Sequence, residues 1–310
     1  MTMLAIKKTF QGQKRLLTGC IAGLLLGVSA HCFAQNVSSG ALLPKPSANG
    51  LSSVNAIAPN IVTPSVVPPD IARVHARGEL VVAMLGIDNP PFFYLRSDEL
   101  VGLEVDLAKD IAKELKVEIR FDRSAKTFNE VADLVARGEA DLGISKLSRT
   151  LARAQRVHFT TPYLTLNHAL ILNRLEFARI SGNKTASEII KNFKGSLAVI
   201  NKSSFADFAA RNFPNAEIKA YANWAEVLDA LKSGKVTGAY RDEFEIKRLL
   251  KIDPTLSLTL RTITLTDLDD TLGIAVNIKD VTLLSFVNHL LSQSRDKLTI
   301  IKALNAIEKP

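Results

Sequence analysis

The chain has 310 residues, of which 47% are hydrophobic and 23% are charged, and its formal net charge is +8 at neutral pH. This length and composition suit a globular protein with one or two cores and exclude a fibrous or wholly disordered one. When the four cations among residues 1–34 are left out, the chain has 35 Lys and Arg and 31 Asp and Glu. That balance is too mild to indicate a nucleic-acid-binding protein.

The N-terminus has the pattern of a secretory signal peptide. Basic residues come first, an apolar run over 16–28 follows, and small residues then precede a polar segment. We predict a signal peptide over 1–34, cleaved after Ala34, and a periplasmic location. An uncleaved membrane anchor is the alternative, although the run is shorter than a good membrane span.

The two cysteines of the chain, Cys20 and Cys32, both lie inside the predicted signal peptide. The mature protein would therefore have no disulfide, and its stability would depend on its core alone. The tetrapeptide 17–20 is similar to a lipoprotein cleavage box. We discount lipidation because most of the apolar run follows that cysteine instead of preceding it.

Residues 35–70 contain no aromatic residue and are rich in Ser, Asn, Ala and Pro. Such a segment cannot bury enough apolar surface to offset the loss of chain entropy on folding. We interpret it as a flexible spacer and predict that the folded part begins near Ile71.

Beyond the spacer, apolar strands alternate with amphipathic helices. The first series predicts a strand at 80–84, a helix at 107–115, a strand at 117–121, a helix at 129–136 and a strand at 140–144. The second series predicts helices at 187–192, 205–212, 224–233 and from Phe244, with strands at 196–200, 218–221 and 236–240. Two C-terminal helices are predicted at 283–293 and 297–307. This alternation predicts two α/β lobes with mostly parallel sheets.

The segment 138–163 combines a strand end, a group of hydroxyl residues and an arginine, Arg153. A strand end leaves backbone groups free, and hydroxyls are short donors and acceptors. A guanidinium can bind a carboxylate through two parallel hydrogen bonds. The segment therefore predicts an anion-binding rim.

In order and spacing, this segment and the motifs at 90–92, 101–108 and 230–234 resemble the polar amino acid-binding family of periplasmic solute-binding proteins. The resemblance covers the chain from about residue 78 to its C-terminus. It implies a type II periplasmic binding protein fold, in which two α/β lobes are joined by two hinge strands with the ligand cleft between them. It also implies a monomer that presents a small amino acid or related carboxylate to an inner-membrane ABC permease.

The resemblance further implies how the chain is divided. Residues 71–169 and 274–310 would form the first lobe, with the C-terminal helices packed on it, and 170–273 the second. The chain would cross between the lobes at 168–173 and 271–276. Open α/β sheets bind ligands beyond the carboxyl ends of their strands, so the ligand would lie between the lobes and be enclosed by hinge closure.

In the first lobe, the resemblance implies that Arg153 clamps the α-carboxylate of the ligand and that Ser148 supports the same carboxylate. Ser145 would help to hold the ligand ammonium. Taken as residue types alone, an arginine in a surface salt bridge and two serines in turns are the alternatives.

In the second lobe, the resemblance assigns Asp242 to the ligand ammonium, although an aspartate before a helix can equally be an N-cap. Ser203 and Ser204 would meet the carboxylate at a helix N-terminus, where the helix dipole favours an anion. Capping alone would explain one of these serines.

Phe128 matches an aromatic residue that covers the side chain of the ligand. Asn89 departs from the pattern, because an aromatic often precedes the Pro-Phe element, and Phe92 is expected in the core. Lys146 stands where a small residue is usual. A lysine there would favour an acidic amino acid or a dicarboxylate, unless its chain extends to solvent.

Catalysis has little support in the sequence. The five histidines show no metal-ligand spacing, and neither a phosphate-binding glycine loop nor a nucleophile elbow appears, so we expect no metal and no cofactor. A periplasmic enzyme similar to a dehydratase, with Glu243, Asp88 or Lys146 as its acid or base, is the first alternative. A ligand-sensing domain on the same fold is the second.

Overall fold

The computed structural model describes residues 66–307. The predicted signal peptide and all but the last five residues of the predicted spacer lie outside this range, as do residues 308–310. Among the described residues, no helix is both long enough and apolar enough to cross a membrane.

Strands and helices alternate through most of the described chain. The strands are β1 (Glu79–Leu85), β2 (Tyr94–Arg96), β3 (Glu99–Val101), β4 (Glu118–Ala125), β5 (Leu142–Gly143), β6 (Val157–Phe159), β7 (Leu164–Asn173), β8 (Ser196–Ile200), β9 (Glu217–Tyr221), β10 (Gly238–Asp242), β11 (Leu260–Leu272) and β12 (Ala275–Asn277). The helices are α1 (Pro69–Arg77), α2 (Leu103–Leu115), α3 (Phe128–Ala136), α4 (Leu151–Ala154), α5 (Arg174–Ser181), α6 (Ala186–Lys191), α7 (Ser204–Asn212), α8 (Trp224–Lys232), α9 (Glu243–Ile252), α10 (Val281–Gln293) and α11 (Ile300–Asn305). A short 3₁₀ helix covers Pro254–Leu258.

Two five-stranded sheets form the centres of two lobes. The first sheet has the order β4-β1-β5-β12-β6, and the second has the order β11-β7-β10-β8-β9. In the first, β1 is parallel to β4 and β5, while β12 is antiparallel to β5 and β6. In the second, β8 is parallel to β9 and β10, while β7 is antiparallel to β10 and β11. Two α/β lobes are therefore present, as the sequence predicts.

The long strands β7 and β11 connect the lobes. They pair antiparallel from Leu164 opposite Leu272 to Asn173 opposite Leu260, and the register shifts between Leu265 and Asp269. The chain leaves the first sheet after β6 through β7 and returns through β11 to β12. The adjacent strands thus supply both crossings between the lobes.

The core of the first lobe follows the apolar pattern of the sequence. All of β1 except its first residue is buried, as expected for a strand with neighbours on both sides and helices on both faces. Helix α2 buries one stripe against it, and the buried apolar residues of that stripe are Val105, Ala108, Ile111, Ala112 and Leu115. Burial of these side chains stabilises the lobe by roughly 25 cal/mol per Å² of apolar surface.

Short polar side chains fix where many of the helices begin. In each case the side chain before the helix accepts a hydrogen bond from a backbone N–H in the first turn, which that turn cannot satisfy itself. The residues that do this for the helices that frame the two sheets are Thr127, Thr150, Asn173, Thr185, Ser203, Asn223 and Asp242.

Some predicted boundaries differ from the structure. The predicted strand 140–144 pairs only at Leu142–Gly143. The predicted strand 236–240 lies at Gly238–Asp242, so Asp242 ends the strand instead of following it. Of the C-terminal helices, α10 contacts α1 and β12 in the first lobe, whereas α11 lies against α9 and β7. Helix α11 is held there partly by Lys251, whose ammonium donates to a backbone carbonyl of α11.

Asp141 connects helix α1 to the first sheet. Its buried carboxylate accepts a hydrogen bond from the backbone N–H of Val81 at 2.8 Å and forms ion pairs with Arg73 and Arg77. Arg73 also binds Asp280, before α10, at 2.7 Å. One carboxylate therefore joins helix α1, strand β1 and, through Arg73, the C-terminal region.

We predict that Asp141→Ala lowers the free energy of unfolding by about 1–3 kcal/mol, because the buried N–H of Val81 loses its acceptor. Urea unfolding followed by circular dichroism measures the change. The control is Glu139→Ala, which removes an exposed ion pair with Arg137 and should cost less than about 1 kcal/mol. Equal losses in the two variants would contradict the role given to Asp141.

Candidate functional site

A small cavity lies where the carboxyl ends of strands from both sheets meet. About 10 Å³ is accessible there to the centre of a water molecule, roughly the space that one water needs. The first lobe supplies Phe128, Lys146, Ser148 and Arg153, and the rest of the lining is Ser203, Ser204, Phe205, Arg241, Asp242 and Asp270. Seven of the nine residues predicted to bind ligand are therefore brought together.

Arg153 is buried without a carboxylate partner. The first turn of α4 positions it, because the Thr150 hydroxyl caps its backbone N–H. Its Nε donates to Asn129 Oδ1 at 3.0 Å and its Nη1 donates to the carbonyl of Ser148 at 3.1 Å. No carboxylate oxygen of residues 66–307 lies within 4 Å of the guanidinium, and burial lowers the pKa of Arg153 to about 10. Arg153 is therefore not a surface arginine in a salt bridge, which was the alternative interpretation.

Two serine hydroxyls and a carboxyl form a chain beside Arg153. Ser148 Oγ lies 2.8 Å from Ser204 Oγ, across the two lobes, and donates to Asp270 Oδ2 at 3.0 Å. The other oxygen, Asp270 Oδ1, is fully buried and has no hydrogen-bond partner among the described residues. Burial raises the pKa of Asp270 to about 7, which the negative charge of Asp242 reinforces and the hydrogen bond from Ser148 opposes.

The serines before and at the start of α7 have different roles. Ser203 is the N-cap, since its Oγ accepts from the backbone N–H of Ala206 while its hydroxyl donates to the carbonyl of Ile200. Ser204 turns its hydroxyl towards Ser148 instead. Capping therefore explains Ser203, and Ser204 remains available to the cavity.

Lys146 is held in an unusual backbone conformation and points into the cavity. Its φ is +47°, in the left-handed region that non-glycine residues seldom adopt, and its backbone N–H donates to both oxygens of Glu104 at 3.0 and 3.1 Å. Its ammonium donates to Glu245 Oε1 at 2.8 Å and lies 3.3 Å from Asp242 Oδ2. Only 2% of the side chain is exposed, so it does not extend to solvent.

Glu104 also accepts a hydrogen bond from the hydroxyl of Tyr163. Burial raises the pKa of Glu104 to about 7, while the hydrogen bonds from Tyr163 and from the backbone of Lys146 oppose the rise. The carboxyl therefore connects the motif after β3 to the turn that carries Lys146.

Asp242 is both a helix cap and a cavity residue. Its Oδ1 accepts from the backbone N–H of Glu245 at 3.1 Å at the start of α9, and its Oδ2 lies 3.4 Å from Arg241 Nε. Burial acts to raise the pKa of Asp242, but the charges of Lys146 and Arg241 and the hydrogen bond from Glu245 bring it below the ordinary value. The two interpretations of Asp242 from the sequence therefore hold together.

An aromatic pair lies against the guanidinium of Arg241. The Cζ atom of Arg241 is 5.6 Å from the ring centre of Phe128 and 5.4 Å from that of Trp224, within the range of a cation–π contact. The aromatic that the resemblance assigns to the ligand side chain thus contacts a cation of the chain itself.

Two of the predicted residues lie outside the cavity lining. The hydroxyl of Ser145 accepts the backbone N–H of Leu85 at 3.0 Å and is completely buried between the strands. Asn89 pairs with Phe93 through its backbone and is not among the lining residues. Phe92 is buried in the core, as predicted.

Sequence reasoning missed three charged residues at this site, of which Arg241 and Asp270 line the cavity and Glu245 pairs with Lys146. Glu245 follows Asp242 by three residues, and that spacing indicates only an ordinary first turn of a helix. Arg241 immediately precedes Asp242. Asp270 lies in β11 within a run of alternating polar residues that gives no signal of burial. Only the folded chain shows that all three are buried at one point.

The candidates for catalysis other than Lys146 are engaged elsewhere. Glu243 accepts from the backbone and side chain of Asn167 and binds Lys247. Asp88 binds Arg123 at 2.9 Å at the protein surface. Within residues 66–307, no group of three or more His, Cys, Asp or Glu side chains is arranged to hold a metal ion.

Comparison with known families agrees with this architecture. Residues 80–300 match the profile of the bacterial extracellular solute-binding proteins, family 3. The chain belongs to this family. The resemblance inferred from the sequence motifs and the type II periplasmic binding fold that it implies are both confirmed.

Relatives of this family 3 protein include binding proteins and an enzyme. It is 26% identical over 209 residues to the ABC transporter arginine-binding protein 1 of Escherichia coli, covering 66% of this chain and 80% of that protein. It is 27% identical over 228 residues to the membrane-bound lytic murein transglycosylase F of Idiomarina loihiensis, covering 70% of this chain but only 47% of the enzyme. The chain thus spans about half of the length of that enzyme.

Solved structures with the same fold are also similar. The arginine-bound substrate-binding protein AbpA of Streptococcus pneumoniae has a TM-score of 0.61 at 25% identity, covering 77% of this chain and all of that one. The ancestral amino acid-binding protein AncCDT-1, a precursor of cyclohexadienyl dehydratase, has a TM-score of 0.59 at 24% identity, covering 72% and 92%. The second comparison shows the fold alone.

The raised pKa of Asp270 predicts a pH dependence of stability. In the unfolded chain the carboxyl titrates near about 3.9, so between about pH 4 and 7 the folded protein keeps a proton that the unfolded chain has released. This group therefore favours folding at low pH, and its contribution is lost as the pH rises to about 7. The loss is at most about 1.4 kcal/mol per pH unit.

Asp270→Asn should remove this contribution while keeping an acceptor for Ser148. We expect the stability of the natural protein relative to this variant to fall as the pH rises from 5 to 7, measured by urea unfolding at each pH. Asp207→Asn removes the same formal charge from an exposed position on α7 and should leave the slope nearly unchanged. A parallel profile for Asp270→Asn would contradict the assignment.

Proposed function

We propose that this chain is the solute-binding protein of an ABC transporter and that it captures a small amino-acid-like carboxylate between its two lobes. The observation that carries the proposal is the buried guanidinium of Arg153, which has no carboxylate partner among the described residues. A buried arginine without an ion pair is costly, and a bound carboxylate would supply the missing charge.

The groups around Arg153 support a carboxylate as the bound anion. Its Nη2 group has no protein partner within the described chain, so the planar fork can donate to an oxygen there. The hydroxyls of Ser148 and Ser204 lie beside it, and Ser204 begins a nine-residue helix whose positive dipole end favours an anion. Both lobes would therefore contact one carboxylate.

Capture by closure of the lobes is the mechanism that we propose. The cavity is lined from both sheets, and the long strands β7 and β11 run between them, so a rotation about these strands would open and close the site. A ligand that bridges Arg153 and Ser204 favours the closed arrangement because it contacts both lobes only there. The permease would then recognise the closed lobes.

The names of the relatives fit a solute with a carboxylate. They include binding proteins for arginine, glutamine and histidine, and the common part of these ligands is the amino acid backbone. We propose a monomer in the periplasm, reached by the predicted signal peptide, with an inner-membrane permease as partner. The division into two lobes, with α11 on the second, and ligand binding by the seven predicted residues that line the cavity belong to the same proposal.

A periplasmic enzyme is the second candidate, and Asp270 favours it. A carboxyl with a pKa near 7 beside two hydroxyls and an arginine could transfer a proton. The similarity to a lytic transglycosylase and the fold shared with a dehydratase precursor also support an enzyme as the second candidate. Mass spectrometry of a bound ligand after long incubation separates the two candidates, because a binding protein returns it unchanged.

We predict that Arg153→Ala weakens binding of the carboxylate roughly 30-fold to several thousandfold, which corresponds to 2–5 kcal/mol for one member of a buried charge pair. A thermal-shift screen of residues 66–310 against amino acids and related acids finds the ligand, and calorimetry measures its dissociation constant.

Arg156→Ala is the matched control for this prediction. Arg156 lies three residues further on, is largely exposed and pairs with Asp133, so its loss should change affinity little. If Arg153→Ala folds and still binds the ligand as the natural protein does, the proposed clamp is wrong.

A further inference from the structure

We infer that the solute is a small carboxylate without an ammonium group, because the ammonium of Lys146 already occupies the carboxylates that would bind one. The inference rests on the proposed function and names its ligand class. It also differs from the acidic amino acid that the sequence alone suggests for Lys146, since the lysine charge is engaged inside the protein.

The contacts of Lys146 account for both acidic groups at this end of the cavity. Its Nζ lies 2.8 Å from Glu245 Oε1, and 3.3 and 3.5 Å from the two oxygens of Asp242. Asp242 is the residue that family resemblance assigns to the ligand ammonium. A lysine of the first lobe thus makes, from within the chain, the contact expected from the ligand.

The position of Lys146 is fixed by several independent contacts. Glu104 holds its backbone N–H with both oxygens in the left-handed conformation. The ammonium lies 4.8 Å from the ring centre of Phe92 and 5.0 Å from that of Phe244, whose rings pack edge to face. The side chain is therefore built into the site, and moving its ammonium away from Asp242 would also break its contacts with Glu245 and the two rings.

The cations around Asp242 and Glu245 leave neither carboxylate unpaired for a ligand ammonium. Asp242 faces Lys146 and Arg241, while Glu245 faces Lys146, with Arg241 and Arg248 each at 3.8 Å. A ligand ammonium beside Lys146 would meet a like charge at short distance in a water-poor cavity, where repulsion is strong.

Asp270 does not provide a substitute for these carboxylates. Asp270 lines the cavity, but its Oδ2 accepts from Ser148 at the Arg153 end, where the ligand carboxylate would lie. The cavity therefore has a cation without an ion pair for a carboxylate, whereas Asp242 and Glu245 are already paired with Lys146.

A cationic side chain is disfavoured by a further contact. The rings of Phe128 and Trp224, which could take a cation from a ligand, already flank the guanidinium of Arg241. The two internal cations thus take the positions of both the ammonium and a basic side chain.

The test uses pairs of acids that differ only in an ammonium or a hydroxyl at the same carbon. The pairs are L-alanine with L-lactate, L-aspartate with L-malate, L-glutamate with L-2-hydroxyglutarate, and L-phenylalanine with L-phenyllactate. Calorimetry with the natural protein should show that at least one hydroxy acid binds at least tenfold more tightly than its amino acid. This comparison needs no variant and decides the inference by itself.

Lys146→Gly tests the role of the ammonium. Glycine adopts the left-handed backbone without strain, and removal of the lysine takes away the cation nearest to Glu245 and Asp242, so a ligand ammonium can take its place. The preference should shift towards the amino acid by at least tenfold. Lys202→Gly is the matched control, because Lys202 is an exposed lysine with φ of +51°, immediately before Ser203, and it should keep the natural preference.

The outcomes separate this inference from the proposed function. The inference is overturned if an amino acid binds the natural protein as tightly as its hydroxy acid. If Arg153→Ala then abolishes the binding of that amino acid, the proposed function still stands. If none of the eight acids binds the folded protein, or if binding survives Arg153→Ala unchanged, the proposed function fails and the inference fails with it. An unchanged preference in a folded Lys146→Gly overturns the role given to Lys146.

Discussion

The site depends on one buried ion cluster, in which the ammonium of Lys146 meets the carboxylates of Asp242 and Glu245. Each of these side chains is almost fully buried, and burying an unpaired charge costs several kcal/mol. The charges can stay inside the protein only because they stay together. Since Lys146 follows a strand of the first sheet and Asp242 ends a strand of the second, the cluster also links the two sheets.

The same elements that form the fold form the site. Parallel strands end at one edge of each sheet, and the helices that follow begin there with polar caps. Asp242 therefore caps α9 with one oxygen and faces Lys146 with the other, and Ser203 caps α7 while Ser204 turns to the cavity. A single strand-to-helix junction supplies both stability and recognition, so neither role excludes the other.

Much of this could be predicted from the sequence, for physical reasons that differ between residues. Strong apolar periodicity identified β1 and α2, and the order of the motifs led to Arg153, Ser148 and Asp242, which do line the cavity. For Ser145, nothing local in the sequence shows that its hydroxyl accepts from the backbone of the neighbouring strand β1. Asp270 was missed because its burial arises from packing between segments far apart in the chain.

Family membership and ligand chemistry are set by different parts of the structure. The profile match over residues 80–300 and the two-lobed fold agree with the family, whereas Lys146 and Arg241 place two cations at the cavity. A carboxylate at Arg153 would also oppose ionisation of the nearby Asp270, whose pKa is already about 7. Binding of an anion and retention of that proton would therefore favour each other, whereas a ligand ammonium would oppose retention of the proton. The internal cations and a protonated Asp270 thus both favour an anion that brings no positive charge of its own.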